Sequence, residues 1–312
     1  MLKSRSSALV SSEPKRPLTE VIADDGAALS EELLAMRRAL FPPVSQKALR
    51  SFSSVEAAKL IGIADAYLRQ LSINGKGPQP SVTSAGRRSY SLDQINQIRA
   101  VLDETSKGKR YVRHRRPGEH CQVMAVVNFK GGSGKTTTAA HLAQHLALHG
   151  HRVLAVDLDP QASLTALHGY QPEYDVGSNE TIYAAIRYDT ERRPINEIVR
   201  KTYIPGLDIV PGNLELMEFE HETPRALAER STDPFFGRVA TALGEVAQNY
   251  DVMVLDCPPQ LGFLTLGALC ASTGLLVTAH PQMLDVMSMC QFLLMTSDLL
   301  SVVQESGGDL DY

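Results

Sequence analysis

Long apolar runs are the first thing this sequence of 312 residues lacks. No stretch of roughly 18 or more consecutive apolar residues occurs, so no membrane span is expected. The opening residues, MLKSRSSALVSSEPKRP, carry basic side chains but no apolar core of roughly 7–15 residues, and they do not read as a secretory leader. Cysteine is scarce: Cys121, Cys257, Cys270 and Cys290 are scattered, with neither metal-site nor disulfide spacing. They read as buried free thiols in a reducing cytoplasm. No self-similarity with a period of roughly 20–50 residues is visible, which argues against a solenoid. His141, His145 and His149 share one helical face, but no carboxylate or cysteine stands in register with them. A solvated or packing face is therefore the reading, and no metal site is expected there. Ser133 and Ser163 have no recognisable His/Asp partners, so no serine hydrolase is proposed.

Charge is present but unevenly placed. Residues 1–120 hold 20 Lys and Arg against 12 Asp and Glu, a net of +8. Residues 121–312 hold 11 against 23, a net of −12. A basic front on an acidic back points to two different partners.

The chain is long enough for two domains. Residues 1–20 show no apolar period and are expected to be a mobile arm. Between Leu18 and Leu40, the apolar residues Ile22, Leu29, Leu33, Leu34 and Met36 predict one or two helices, ended by Pro42 and Pro43. Residues 1–45 thus form an arm and helix, and a compact helical unit follows over 46–106. The segment SKGKRYVRHRRPGEH reads as a linker, assigned to 107–120. From 121 to the end, the short apolar runs QVMAVVN, RVLAVDLD, LDIVP, DVMVLD and LLVTAH alternate with helical stretches. Such runs are strands buried on both faces, and the alternation predicts an α/β domain with a mostly parallel sheet.

In the front unit, SFSSVEAAKLIGIADAYLRQLSINGKG has the layout of a helix-turn-helix. Ser53 and Glu56 form a capping box for a helix expected to bury Val55, Ala58 and Ile61; Gly62 ends it and Asp65 caps the next. In a major groove, that second helix would present Tyr67, Arg69 and Gln70. A hairpin wing with Arg87 and Arg88 follows, then a third helix opened by a Ser91/Gln94 capping box. The order resembles the winged helix-turn-helix of MerR-type regulators. The net positive charge favours DNA as partner over the alternative of a small docking or dimerisation domain.

The stretch VVNFKGGSGKTTTAAHLAQHLA almost matches the phosphate-loop signature G-x-x-x-x-G-K-[ST]. Phe129 stands where the first glycine belongs, and an extra lysine, Lys130, lies beside it. Gly131, Gly132, Ser133 and Gly134 let backbone N–H groups approach an anion, and the following helix adds its N-terminal partial charge. Lys135 would pair with the β- and γ-phosphates, Thr136 would ligate Mg²⁺, and Thr137 completes the cradle. In YDVMVLDCPPQLG, four apolar residues precede Asp256, a Walker B pattern whose carboxylate would hold Mg²⁺ through water.

Lys130-Gly-Gly-Ser-Gly-Lys135-Thr136 resembles the deviant Walker A motif KGGxGK[ST] of the ParA/MinD family of ATPases. The resemblance implies that Lys130 reaches across a dimer to the partner's nucleotide, much as an arginine finger does. DLDPQAS resembles the family's D-x-D-P-Q segment, which implies that Asp159 positions the attacking water and Asp157 helps to order Mg²⁺. PGNLELMEFE and AHPQMLDVMSM are similar to segments after later strands, placing Asn213, Pro281 and Asp285 near nucleotide or interface. With its helix-turn-helix, the chain is most similar to the larger plasmid-partition members, of the RepA type found on repABC plasmids.

The likeness implies an ATPase that segregates plasmids: ATP and Mg²⁺ as cofactors, a homodimer sandwiching two nucleotides, slow hydrolysis stimulated by DNA or partner, and repression of its own operon. Implied partners are operator and non-specific DNA and a ParB/RepB-like centromere-binding protein, with no membrane. The implied location is cytoplasmic and nucleoid-associated. Family members continue for several more strands and helices, whereas this sequence stops at GGDLDY, so its ATPase domain is expected to be incomplete at the C-terminus. The alternative is a non-hydrolysing, nucleotide-sensing repressor. A MinD-like membrane protein would need an amphipathic C-terminal helix, which SDLLSVVQESGGDLDY does not offer. A nitrogenase-reductase-like relative would need bridging cysteines, and Cys257 and Cys290 show no such context.

Overall fold

The computed structural model describes residues 16–40, 47–84, 86–106, 108–229, 234–305 and 307. Most of the expected mobile arm, and the GGDLDY end apart from Gly307, lie outside these residues. The chain divides into two compact units, Met1–Lys47 and Ala48–Tyr312. Within the first, a single helix, α1 (Leu18–Leu40), accounts for the apolar period seen there.

The second unit opens with a small sheet and three helices: β1 (Phe52–Ser53), α2 (Ser54–Ile61), α3 (Asp65–Ile73), β2 (Ser81–Val82), β3 (Arg88–Tyr90) and α4 (Leu92–Thr105). The strands pair antiparallel in the order β1-β3-β2. Both capping boxes form, Ser53 with Glu56 and Ser91 with Gln94. Gly62 closes α2 at φ +83°, a left-handed conformation that costs glycine nothing. Two expectations fail. Val55 is 63 % exposed, because α2 turns Ser54, Ala57, Ala58 and Ile61 inward instead. Asp65 is the first residue of α3 rather than its cap; its carboxylate accepts from the Ser54 hydroxyl and pairs with Arg69.

Beyond residue 120 the apolar runs become β4 (Gln122–Val127), β5 (Val153–Asp157), β7 (Leu207–Val210), β8 (Val252–Asp256) and β9 (Gly274–Val277), all parallel. The two-residue β6 (Arg200–Lys201), too short to register in the sequence, pairs antiparallel at one edge. The sheet order is β6-β7-β5-β8-β4-β9. Its connections include α5 (Lys135–Leu148), the short α6 (Ser163–Leu167), α7 (Pro172–Asp175) and α8 (Tyr183–Ile186), then α9 (Leu216–Ala228), α10 (Phe235–Val246) and α11 (Phe263–Ala271). The chain closes with α12 (Met283–Glu305). This is the doubly covered, mostly parallel α/β arrangement that the alternation predicted.

Side chains along the strands alternate between two cores. Val123, Ala125, Leu154, Val156, Met253 and Leu255 enter one core, packed by α10 and α11. Val126, Val153, Ala155 and Val254 enter the other, with α5 and residues of α2, α3 and α4. The alanines Ala139, Ala140, Ala143 and Ala147 of α5, rather than its leucines, make the buried face. The α2–α4 unit therefore shares an apolar core with the phosphate-loop helix.

Arg99 of α4 is part of that junction. It is 2 % exposed and donates to the Leu60 carbonyl (2.8 Å), the Leu148 carbonyl (2.8 Å) and Asn96 Oδ1 (2.6 Å). One guanidinium thus joins the ends of α2 and α5. Gly150, at φ +91°, leaves the room, since a Cβ there would lie 2.9 Å from Arg99 Nη1.

The last helix bears on the expected absence of a membrane span without overturning it. Met283–Glu305 is long and apolar enough to cross a membrane by length and composition, with an 18-residue window of mean hydropathy 1.6. Polar residues such as Asp285, Ser288, Gln291 and Thr296 interrupt every apolar run, which is why a search for continuous runs misses it.

Candidate active site: the phosphate loop and its carboxylates

The strands β5, β8 and β4 are parallel neighbours, so their carboxyl ends lie side by side at one end of the sheet. The loop after β4 runs straight into α5. Gly132 and Gly134 have φ of +74° and +82°, and Gly134 caps α5 without any side-chain hydrogen bond. The first N–H groups of α5 are thus not engaged by a capping side chain, which suits an anion. Lys135 is only 6 % exposed, and its ammonium donates to the Lys130 carbonyl (3.2 Å). Burial lowers its pKa, while Asp256 and Asp159 pull it back up.

Asn128 shapes the loop, and the sequence reading passed over it. Its side chain is buried, donates to the Thr278 carbonyl and accepts from Lys130 N (3.0 Å). The Thr278 hydroxyl in turn donates to Ser133 Oγ (3.0 Å). A lone polar residue ending an apolar strand was the available signal. Phe129 explains the missing glycine: its ring packs edge-on against Phe292 of α12, centroids 4.9 Å apart. Next to it, Lys130 pairs with the buried Asp285 of α12 (2.6 Å). The loop's two unusual residues both fasten it to the last helix.

Asp157 and Asp256 sit opposite one another on adjacent strands, both fully buried. Asp157 is well partnered. Its Oδ2 accepts from Thr165 N (2.8 Å) and the Thr165 hydroxyl (2.7 Å), and its Oδ1 from Asp159 N (3.2 Å). Gly212 N donates to the same Thr165 hydroxyl (2.9 Å). A Cβ on Gly212 would come within 3.1 Å of Asp157 Cγ, so the PGN segment packs directly on this turn. Burial pushes Asp157 up to about 6, and these hydrogen bonds restrain it. Asp159 is half-buried and accepts from Gln161 N (2.9 Å). Ala162 just beyond it has φ +52°, a conformation that alanine adopts only under constraint.

Asp256 differs. Neither carboxylate oxygen has a hydrogen-bond partner among the described residues. Burial and the facing Asp157 push its pKa up to about 8, offset only in part by the nearby Thr136 hydroxyl and Lys135. A buried carboxylate with open lone pairs, beside Thr136, fits an oxygen-seeking Mg²⁺. Asp157 would then act behind it, through the turn it holds.

The raised value has a sign that can be tested. Native Asp256 keeps a proton that the unfolded chain releases, so the unfolding free energy falls as pH rises from about 4 to 8. The slope from this group is at most about 1.4 kcal/mol per pH unit. Asp256→Asn, free of nucleotide and Mg²⁺, is expected to melt above the parent at pH 8, with the gap narrowing at pH 5. A variant melting below the parent at pH 8 would contradict an uncompensated buried charge.

These geometries have counterparts elsewhere. An AAA domain model matches residues 121–305. A candidate replication protein A of Rhizobium rhizogenes is 55 % identical over 298 residues, covering 95 % of this chain and 74 % of that one. Protein SopA of Escherichia coli K12 is 34 % identical over 276 residues, covering 86 % and 69 %. The chain belongs to the ParA family of partition ATPases. Among solved structures, cobyrinic acid a,c-diamide synthase from Mycobacterium smegmatis, with bound ADP and magnesium, superposes with a TM-score of 0.51. It is 31 % identical and covers 59 % of this chain and 68 % of that one. As a ParA-family member, the chain has its P-loop ATPase fold in the second unit.

The residues expected to meet DNA lie apart from this site. Tyr67, Arg69 and Gln70 are exposed on α3, and Arg69 spends its charge on Asp65 (2.8 Å). Arg87 is exposed at the β2–β3 turn. Arg88 is half-buried opposite Val82, with Nη1 buried and unpartnered. Asn213 accepts from Glu215 N (2.8 Å) and donates to the Val176 carbonyl (3.2 Å), and so orders its own turn. Pro281 is exposed just before α12.

Proposed function

We propose that this partition ATPase binds ATP·Mg²⁺ at Gly131–Thr137 and Asp256, and forms a sandwich dimer in which Lys130 serves the partner's nucleotide. The observation that carries this reading is the open Asp256 carboxylate facing a lysine-flanked phosphate loop. When bound, Mg²⁺ would neutralise phosphate charge and order the β- and γ-oxygens. Lys135 and the N-terminus of α5 hold the phosphates, Asp159 orients the attacking water, and Asp157 keeps the Asp159 turn in place. The ADP and magnesium of the synthase at 31 % identity support this cofactor pair.

Asp285 holds Lys130 in cis, so the trans role requires this ion pair to open. Lys130→Gln is expected to keep nucleotide affinity within about threefold while losing nucleotide-dependent dimerisation. Equilibrium nucleotide binding and sedimentation with a non-hydrolysable analogue would check both; an unchanged dimer would refute the trans role. The exposed Tyr67, Arg69, Gln70, Arg87 and the half-buried Arg88 support operator binding through α3 and the β2–β3 wing, and with it autoregulation. A centromere-binding partner of the ParB/RepB kind would stimulate a slow ATP hydrolysis to ADP and phosphate. A cytoplasmic, nucleoid-bound location follows from non-specific DNA binding by the ATP form.

A further inference from the structure

We propose that residues 109–116 form a fixed basic strap that grips the phosphate backbone of duplex DNA through Arg110, Arg113 and Arg116, a contact separate from α3 and the wing. The proposal rests on the reading that the protein binds DNA. In the sequence this segment is a charged linker, but in the fold it is fastened at several points. Asp103 Oδ1 accepts from Tyr111 N (2.6 Å) and Val112 N (3.2 Å). The buried Asp251 accepts from Arg115 N (2.8 Å), while the Arg115 guanidinium donates to the carbonyls of Glu119 (2.8 Å) and Ala247 (2.7 Å). Lys109 Nζ donates to the Gly62 carbonyl (2.6 Å), in the turn between the two helices of the helix-turn-helix.

Lys109 and Arg115 thus anchor the segment with their side chains, whereas the guanidinium groups of the other three make no hydrogen bond to a carboxylate among the described residues. All three are exposed. Arg110 donates to the His114 carbonyl (3.0 Å), and the Asp103 carboxylate attracts its charge without a hydrogen bond to it. Arg116 donates its backbone N–H to Glu119 Oε2 (2.7 Å), while its guanidinium comes only within 3.9 Å of that carboxylate. Arg113 has neither a hydrogen bond nor an ion pair among the described residues, and it repels both the buried Arg99 and His151. A cation crowded by like charges gains most from an added anion.

The spacing suits a polyanion. Arg110 to Arg116 spans at most about 20 Å of chain, roughly six base pairs of duplex rise. Guanidinium forks match phosphate oxygens, and a backbone already ordered loses little further entropy on binding. Lys109 makes the strap continuous with the helix-turn-helix turn. Because residues 121–312 carry a net charge of −12, a local cationic track is what lets duplex approach that half of the molecule.

The test uses the full chain carrying Arg110→Gln, Arg113→Gln and Arg116→Gln together, with Mg²⁺ and ATP. Affinity for a random-sequence duplex is measured by fluorescence anisotropy across a series of KCl concentrations. Losing three phosphate contacts should lower the slope of log affinity against log salt by about 2–3, with melting temperature and nucleotide affinity unchanged. An unchanged slope would overturn the strap, as would a loss confined to self-association, which would point to the acidic surface of a second copy. If the parent itself fails to bind duplex, the DNA reading falls first, and the two failures are distinguishable.

Discussion

Lys135→Ala is expected to weaken binding of ATP·Mg²⁺ at least about a hundredfold, and to leave the fold intact. The lysine is buried at the start of α5, between the phosphate loop and the carboxylates Asp159 and Asp256. Its removal takes away the positive charge closest to the β/γ-phosphate position while the acidic groups stay. Truncating one partner of a buried, hydrogen-bonded charge pair costs roughly 2–5 kcal/mol, and about 2.7 kcal/mol corresponds to a hundredfold. Alanine is a good helix former at this first position of α5, and among the described residues the ammonium's one hydrogen bond is to the Lys130 carbonyl. Isothermal titration with ATP·Mg²⁺, beside circular dichroism for the fold, checks both halves. Affinity within about threefold of the parent would remove the phosphate loop from the nucleotide site.

Arg99→Ala is expected to destabilise the fold strongly. It orphans two carbonyls at half-buried helix ends, those of Leu60 and Leu148, and empties a space next to Gly150. Burial and the nearby Arg113 lower the guanidinium to about 10, so it still bears its charge at neutral pH. Three hydrogen bonds of about 1 kcal/mol each, with the added cost of half-buried acceptors left unpaired, give a loss of about 3 kcal/mol or more. For a unit of this size that is a drop of roughly 6–12 °C in melting temperature. Arg99→Lys should fall between, because one ammonium cannot reproduce the fork that reaches α2 and α5 together. Calorimetry decides; an alanine variant melting within about 2 °C of the parent would show that the junction holds without the arginine.

The phosphate loop was legible because its chemistry is local: strand, glycines, lysine and helix are contiguous. The five parallel strands were equally readable, since both-face burial writes an unbroken apolar run. What the sequence hid is long-range. Lys130 meets Asp285 and Asn128 meets Thr278 across about 150 residues, and no short pattern marks such pairs. Asp285 could be placed near the interface by resemblance, but its partner could not be named. Val55 misled because α2 has eight residues, too few turns for its apolar period to fix a face. Asp157 and Asp256 looked alike in sequence as strand-ending carboxylates. Only the fold shows the first saturated with donors and the second left open. The charged segment 107–120 read as a linker because its anchors, Asp103 and Asp251, belong to elements on either side of it.

The central claim, a deviant-loop ATPase responsive to DNA, is tested most directly by steady-state ATP hydrolysis with and without duplex DNA, with Lys130→Gln in parallel. Slow turnover that DNA increases and Lys130→Gln abolishes is the predicted result. ATP bound without turnover under either condition would contradict it, and would leave a nucleotide-sensing repressor in its place.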